Sequence, residues 1–78
     1  MELTIDCRDG MTAIHEQLAA ALAFPHWYGR NLDALHDCLT EIPRDVTITL
    51  LWPELLSGLK RVLTDAAEDN PHLTVIVT

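Results

Sequence analysis

The run VTITLLW, at residues 46–52, is the feature that most constrains the fold of this chain. It is β-branched and mostly apolar, as is typical of a central strand covered by helices. Strand-like segments also occur at residues 2–6 and 73–78, and helix-period segments separate all three. Strands joined in this way pair in parallel through right-handed crossovers. The sequence therefore predicts one α/β domain over residues 1–78, with two layers, a three-stranded parallel sheet and about three helices.

The helix boundaries are predicted from capping residues and prolines. Thr12 is the expected N-cap of the first helix, and Pro25 is expected to end it because proline disfavours a helical conformation in the preceding residue. Asn31 is the expected N-cap of the second helix, whose apolar stripe ends at Ile42. Pro53 is expected in the first turn of the third helix, which Asn70-Pro71 ends.

The charge of the chain narrows the range of partners. Twelve acidic residues oppose five basic ones, which gives a formal net charge of -7. Nucleic acids and anionic membranes bind through clusters of lysine and arginine, so we expect neither as a partner. The N-terminus lacks the pattern of a signal peptide, and the apolar run LAAALAF is too short to span a bilayer. We expect a cytoplasmic protein, monomeric when free, that binds a basic protein.

The cysteines and histidines predict no cofactor or metal site. Cys7 and Cys38 lack CxxC spacing and are most simply free and buried, although a disulfide between them stays open. Histidine and aspartate at positions 36 and 37 are adjacent, so they point about 100° apart on a helix. The other histidines show no ligand spacing, and there is no nucleophile motif or glycine-rich phosphate loop. We therefore expect no enzyme activity.

The second helix carries an acidic row on its exposed side. Asp33, Asp37 and Glu41 follow each other at four-residue spacing, and no basic residue neutralises them. Like charges at this spacing repel by a few tenths of a kcal/mol, so the row costs stability unless a positive partner binds it. Trp27 and Tyr28 lie just upstream, where they either anchor a partner or pack against the helix start. The following Gly29 is expected to have a positive φ in the turn.

The segment FPHWYGRNLDALHDCLT, at residues 24–40, resembles the signature of the barstar family, small cytoplasmic inhibitors of secreted ribonucleases. Eleven of the thirteen positions from 28 to 40 match the family pattern. The resemblance extends to the order of strands and helices, and the family has a three-stranded parallel sheet. It implies that this chain binds and occludes the active site of a basic ribonuclease or related toxin. The matching residues are Tyr28, Gly29, Asn31, Leu32, Asp33, Ala34, Leu35, Asp37, Cys38, Leu39 and Thr40.

The resemblance also implies roles for individual residues. Asp37 would occupy the place of a substrate phosphate and pair with arginines and a catalytic histidine of the nuclease. Asp33 would bind a neighbouring basic group, and Trp27 would stack on the catalytic histidine. Counting back from the last strand places Asp65 at another acidic contact. The full set expected at the interface is Trp27, Tyr28, Gly29, Asn31, Asp33, His36, Asp37, Thr40, Glu41 and Asp65.

The chain departs from the family pattern in three places. His36 stands where tryptophan is common, and Glu41 replaces a glycine. Residues 53–71 are too few for the two helices that usually precede the last strand. An alternative interpretation is therefore a binding module of the same fold whose partner is not a nuclease and whose motif serves mainly folding.

Overall fold

The sheet has the parallel arrangement that the sequence predicts. The computed structural model describes all 78 residues. Its three strands are β1 (Glu2–Asp6), β2 (Val46–Leu51) and β3 (Leu73–Val77), paired in parallel in the order β1-β2-β3. The register aligns Ile5 with Leu50 and Leu50 with Val77. The β-branched run thus forms the central strand, as predicted.

Three helices connect the strands: α1 (Met11–Leu22) and α2 (Leu32–Thr40) between β1 and β2, and α3 (Ser57–Asp69) between β2 and β3. Right-handed parallel crossovers between sequentially ordered strands place the connecting helices on one face of a sheet. The burial of β2 agrees, since alternate residues are buried and those between them are partly exposed. The predicted two-layer α/β architecture is confirmed. No helix is both long and apolar enough to cross a membrane.

One apolar core fills the space between the helices and the sheet. Each helix contributes the side chains on one face, so the opposite face is left for solvent or a partner. Gly58 lies where α3 approaches α2, because a Cβ added there would stand 3.3 Å from Leu32 Cδ1. The core residues are Ile5, Cys7, Ile14, Leu18, Leu22, Tyr28, Leu35, Cys38, Leu39, Ile42, Val46, Ile48, Leu50, Leu59, Leu63, Ala66 and Leu73.

Several predicted boundaries are wrong by a short distance. Thr12 lies inside α1, because Gly10 is the N-cap. That helix ends before Pro25, with Ala23 in the left-handed region as its C-cap. The third helix does not begin at Pro53, which instead opens a 3₁₀ turn (Pro53–Leu55). Trp52, at a φ of 57°, turns the chain after β2, and Leu56, at a φ of -137° and a ψ of 70°, separates the 3₁₀ turn from α3.

Candidate protein-binding site

The exposed side of α2 carries three carboxylates, which we call the acidic ridge: Asp33, Asp37 and Glu41. All three residues are exposed, and 84% of the Asp37 side chain is accessible. No lysine or arginine of the chain forms an ion pair with any of them. The two ion pairs that involve arginines, Arg8–Asp6 and Arg30–Glu16, lie elsewhere. The ridge therefore presents its full negative charge to solvent.

The position of the ridge follows from the caps and the buried face of α2. The Asn31 side chain accepts a hydrogen bond of 2.8 Å from the backbone N–H of Ala34, as expected of an N-cap. Leu35 and Leu39 are fully buried on the opposite side, which turns the ridge outward. Near the last turn, the half-buried Thr40 donates its hydroxyl proton to the carbonyl of Asp37 at 2.9 Å.

A buried amide fixes the C-terminal end of α2, and sequence analysis did not identify its role. Asn70 is 3% exposed, and its Nδ2 donates to the carbonyls of Leu39 at 2.9 Å and Ile42 at 3.1 Å. Its Oδ1 accepts from the backbone N–H of His72 at 2.9 Å. All the hydrogen-bonding capacity of this amide except a lone pair on its oxygen is thus used to tie α2 to the turn before β3.

The two aromatic residues before α2 have different surroundings. Trp27 is 69% exposed. It lines a cleft of about 250 Å³ whose other walls include Phe24, Cys38, Glu41 and Arg44. The cleft thus joins the tryptophan to the C-terminal member of the ridge, so both can contact one partner.

Tyr28 does not project beside the ridge, because its side chain is 3% exposed and lies in the core. Its hydroxyl shares a hydrogen bond with Nδ1 of His15, and its ring packs edge-on against Phe24 at 4.9 Å between centroids. Burial raises the pKa of Tyr28 to about 12 and lowers the pKa of His15. The side chain of Tyr28 holds the loop onto α1, so of the two alternatives that the sequence left open, Tyr28 follows packing.

The turn after Tyr28 also differs from the prediction. Gly10 is the glycine with positive φ, whereas Gly29 does not lie in the left-handed region. The turn instead places Arg30 there, with a φ of 51°. A Cβ added at Gly29 would stand 2.9 Å from Nδ2 of Asn31. The space beside the N-cap side chain of α2 therefore explains this glycine better than its backbone conformation.

The acidic surface continues onto α3 through His36. The His36 side chain is 34% exposed, and its Nε2 lies 3.4 Å from a carboxylate oxygen of Asp69. Asp65 is exposed and stands one turn before Asp69, on the same side of α3. Asp69 was missed by sequence analysis, although its four-residue spacing from Asp65 was a usable signal. The structure thus brings carboxylates of two helices together around one imidazole.

The side chains of this surface are arranged for recognition of charge. Groups of three or more His, Cys, Asp or Glu side chains placed to hold a metal ion are absent. Cys7 and Cys38 are free and buried, as predicted, and burial raises the pKa of both thiols. Exposed carboxylates beside an exposed aromatic ring are suited to bind guanidinium and ammonium groups.

Comparison with known proteins identifies the family of this chain. The family model described as Barstar (barnase inhibitor) matches residues 1–77. The chain is also 51% identical over 41 residues to a Bacillus subtilis (strain 168) protein named "Putative ribonuclease inhibitor YrdF". That match covers 50% of this chain and 45% of the relative, so it spans about half the length of each. Since the family model covers nearly the whole chain and the fold agrees with it, this protein belongs to the barstar family.

Proposed function

We propose that this protein inhibits a basic ribonuclease, or a related basic toxin, by placing the acidic ridge and Trp27 over its active site. The observation that carries the proposal is the ridge itself: three exposed carboxylates in line, with no lysine or arginine partner in the chain. Family membership and the resemblance to a named ribonuclease inhibitor support the same role.

Asp37 is the central contact in this proposal. It occupies the middle of the ridge and is almost fully accessible, so a cleft of the partner can close over it. A ribonuclease active site binds phosphate, and a carboxylate can take that place because it also accepts short, charge-assisted hydrogen bonds from arginine. Asp33 and Glu41 extend the negative charge by one turn in each direction, and Asp65 extends it onto α3.

Trp27 supplies the apolar part of the proposed interface. A tryptophan that is 69% exposed gains by burial against a partner, and its ring can stack on an imidazole or guanidinium group. We propose that it stacks on the catalytic histidine of the nuclease, while Asp37 pairs with the neighbouring arginines. Thr40 and His36 complete the α2 side of the contact. Asn31, Gly29 and Tyr28 act through the conformation of the loop.

The free ridge is unfavourable and the complex relieves that cost. Each pair of like charges one turn apart destabilises a helix by about 0.2–0.5 kcal/mol. A cationic partner removes this repulsion and adds ion pairs that water no longer screens. Complementary charge also accelerates association, and added salt slows it. The role requires no catalytic group or cofactor in this chain, and we infer that it acts in the cytoplasm as a monomer.

Inhibition of barnase, the nuclease for which the family is named, tests the proposal directly. Wild-type protein is titrated into a ribonuclease assay together with Asp37→Asn and, as a matched control, Glu54→Gln in the 3₁₀ turn after β2, outside α2 and α3. Both variants lose one negative charge from an exposed position. We expect Asp37→Asn to weaken inhibition at least about 100-fold, because partner cations would be left buried and unpaired. Glu54→Gln should change it little.

Loss of inhibition in Asp37→Asn alone, together with an association rate that falls as salt rises, would support the proposed interface. Equal inhibition by Asp37→Asn and the wild type would show that the ridge is not the site. If barnase is not inhibited at all, other basic ribonucleases and toxins are tested with the same variants. Failure with all of them would reject the proposal.

A binding module with a different partner is the second candidate, and one observation favours it. Four of the eleven residues that match the family pattern, Tyr28, Leu35, Cys38 and Leu39, lie in the core, and Asn31 caps α2. Much of the motif therefore serves the fold whatever the partner is. Capture of partners from host lysate and culture medium separates the candidates. A non-nuclease protein whose binding survives Asp37→Asn and high salt would favour this alternative.

A further inference from the structure

His36 occupies the centre of the acidic surface rather than its edge. Its Nδ1 lies 4.0 Å from a carboxylate oxygen of Asp37, and its Nε2 lies 3.4 Å from a carboxylate oxygen of Asp69. The two ring nitrogens therefore face one carboxylate from each helix. With about a third of its side chain exposed, the imidazole can exchange protons with solvent.

The charged groups around this imidazole are nearly all negative. On α2, Asp37 follows it directly and Asp33 stands one turn before it. On α3, Asp69 contacts it and Asp65 lies one turn before Asp69. Arg61, one turn before Asp65, forms no ion pair with any of these groups. His36 is thus the imidazole that lies among these carboxylates.

We propose that protonation of His36 switches off recognition of a cationic partner by this surface, an inference that rests on the proposed function. The neutral imidazole leaves the carboxylates of Asp37 and Asp69 free for guanidinium or ammonium groups. The protonated imidazole carries an N–H on both nitrogens, adds one positive charge and competes for the same two carboxylates. Affinity for cations therefore falls as the pH falls.

A capped tetra-arginine peptide is a suitable probe, because arginine stays charged at every pH used and the peptide has no other titratable group. Its affinity is measured by NMR titration at pH 7.5 and 5.5, following the amides of α2 and α3. We expect the wild-type affinity to fall about threefold at pH 5.5, the size expected when partly exposed ion pairs are lost. In His36→Gln, the ratio of the affinities at the two pH values should be close to one.

His72→Gln is the matched control. That imidazole is 48% exposed and also lies close to a carboxylate oxygen, at 3.0 Å, but the acid is Asp45, outside the ridge. The inference is supported if the affinity still depends on pH in His72→Gln and no longer does so in His36→Gln.

Two results would overturn the inference: a ratio unchanged in His36→Gln, or no binding of the peptide to α2 and α3 at pH 7.5. Neither result depends on the nuclease assay. Inhibition of barnase through Asp37 could thus persist when the pH switch is absent. Conversely, a pH-dependent cation surface could be found in a protein that inhibits no ribonuclease.

Discussion

Replacing Asn70 by alanine tests whether one buried amide holds the acidic ridge in place. The change removes three hydrogen bonds, two to carbonyls at the end of α2 and one from the N–H of His72. Each is worth about 1 kcal/mol net, and the carbonyl of Ile42 is left without this donor. We therefore expect a loss of about 3 kcal/mol. A domain of this size has about 4–12 kcal/mol of stability in total, so much of it depends on Asn70.

Urea unfolding followed by tryptophan fluorescence measures this effect. Asn31→Ala is the matched control, because it removes an exposed asparagine that accepts one N-cap hydrogen bond from Ala34 and should cost about 1 kcal/mol. Asn70→Asp tests the two donated hydrogen bonds apart from the accepted one. It keeps an oxygen that accepts from the N–H of His72 but turns a carboxylate toward two carbonyls. We expect it to be at least as destabilising as the alanine.

The expected order of stability is thus wild type, Asn31→Ala and then the two Asn70 variants, with similar denaturant slopes. Equal losses in Asn31→Ala and Asn70→Ala would refute the reasoning. They would show that solvent or a local shift replaces the buried hydrogen bonds at the end of α2.

Three further outcomes follow from the same structure. Asp37→Asn should raise the free energy of unfolding by a few tenths of a kcal/mol, since it relieves repulsion along the ridge. Urea unfolding measures this change, and a clear loss of stability would mean that the carboxylate supports the fold. Because burial lowers the pKa of His15, the unfolded state takes up a proton first. Stability should therefore fall as the pH drops below about 6.5, and His15→Gln should reduce that fall. Cys7 and Cys38 should react with a thiol reagent at pH 7.5 much more slowly in native protein than in urea, because burial raises the pKa of both thiols.

The sequence predicts the fold and the ridge well because both depend on local periodicity. The alternating burial of β2 and the four-residue spacing along α2 are set by the geometry of strands and helices, which holds whatever packs against them. The Asn31 cap is equally local and was confirmed. The prediction of a positive φ at Gly29 was wrong. The nearby Asn31 amide leaves little room for a side chain at Gly29, and the positive φ falls on Arg30 instead.

Features that depend on contacts between distant segments could not be predicted in this way. Tyr28 could equally have projected or packed, and in the structure it packs with a hydrogen bond to His15, thirteen residues earlier on α1. Asn70 reads as a helix stop in sequence, whereas its amide bonds to carbonyls 31 and 28 residues away. A φ of 57° at Trp52 likewise has no sequence signal, since glycine is the residue expected there.

The inward-facing and outward-facing residues of one short segment have different roles, and this explains why the motif uses so many consecutive positions. Between positions 27 and 41, residues that face inward secure the helix: Tyr28 against α1, Leu35 and Leu39 in the core. Those facing outward, Trp27 and Asp37, carry the proposed recognition. A helix that must present unpaired negative charges gains nothing from its own surface, so its stability has to come from its buried face, its N-cap and the Asn70 amide. Any change that loosens these supports should therefore weaken partner binding even where it leaves every carboxylate intact.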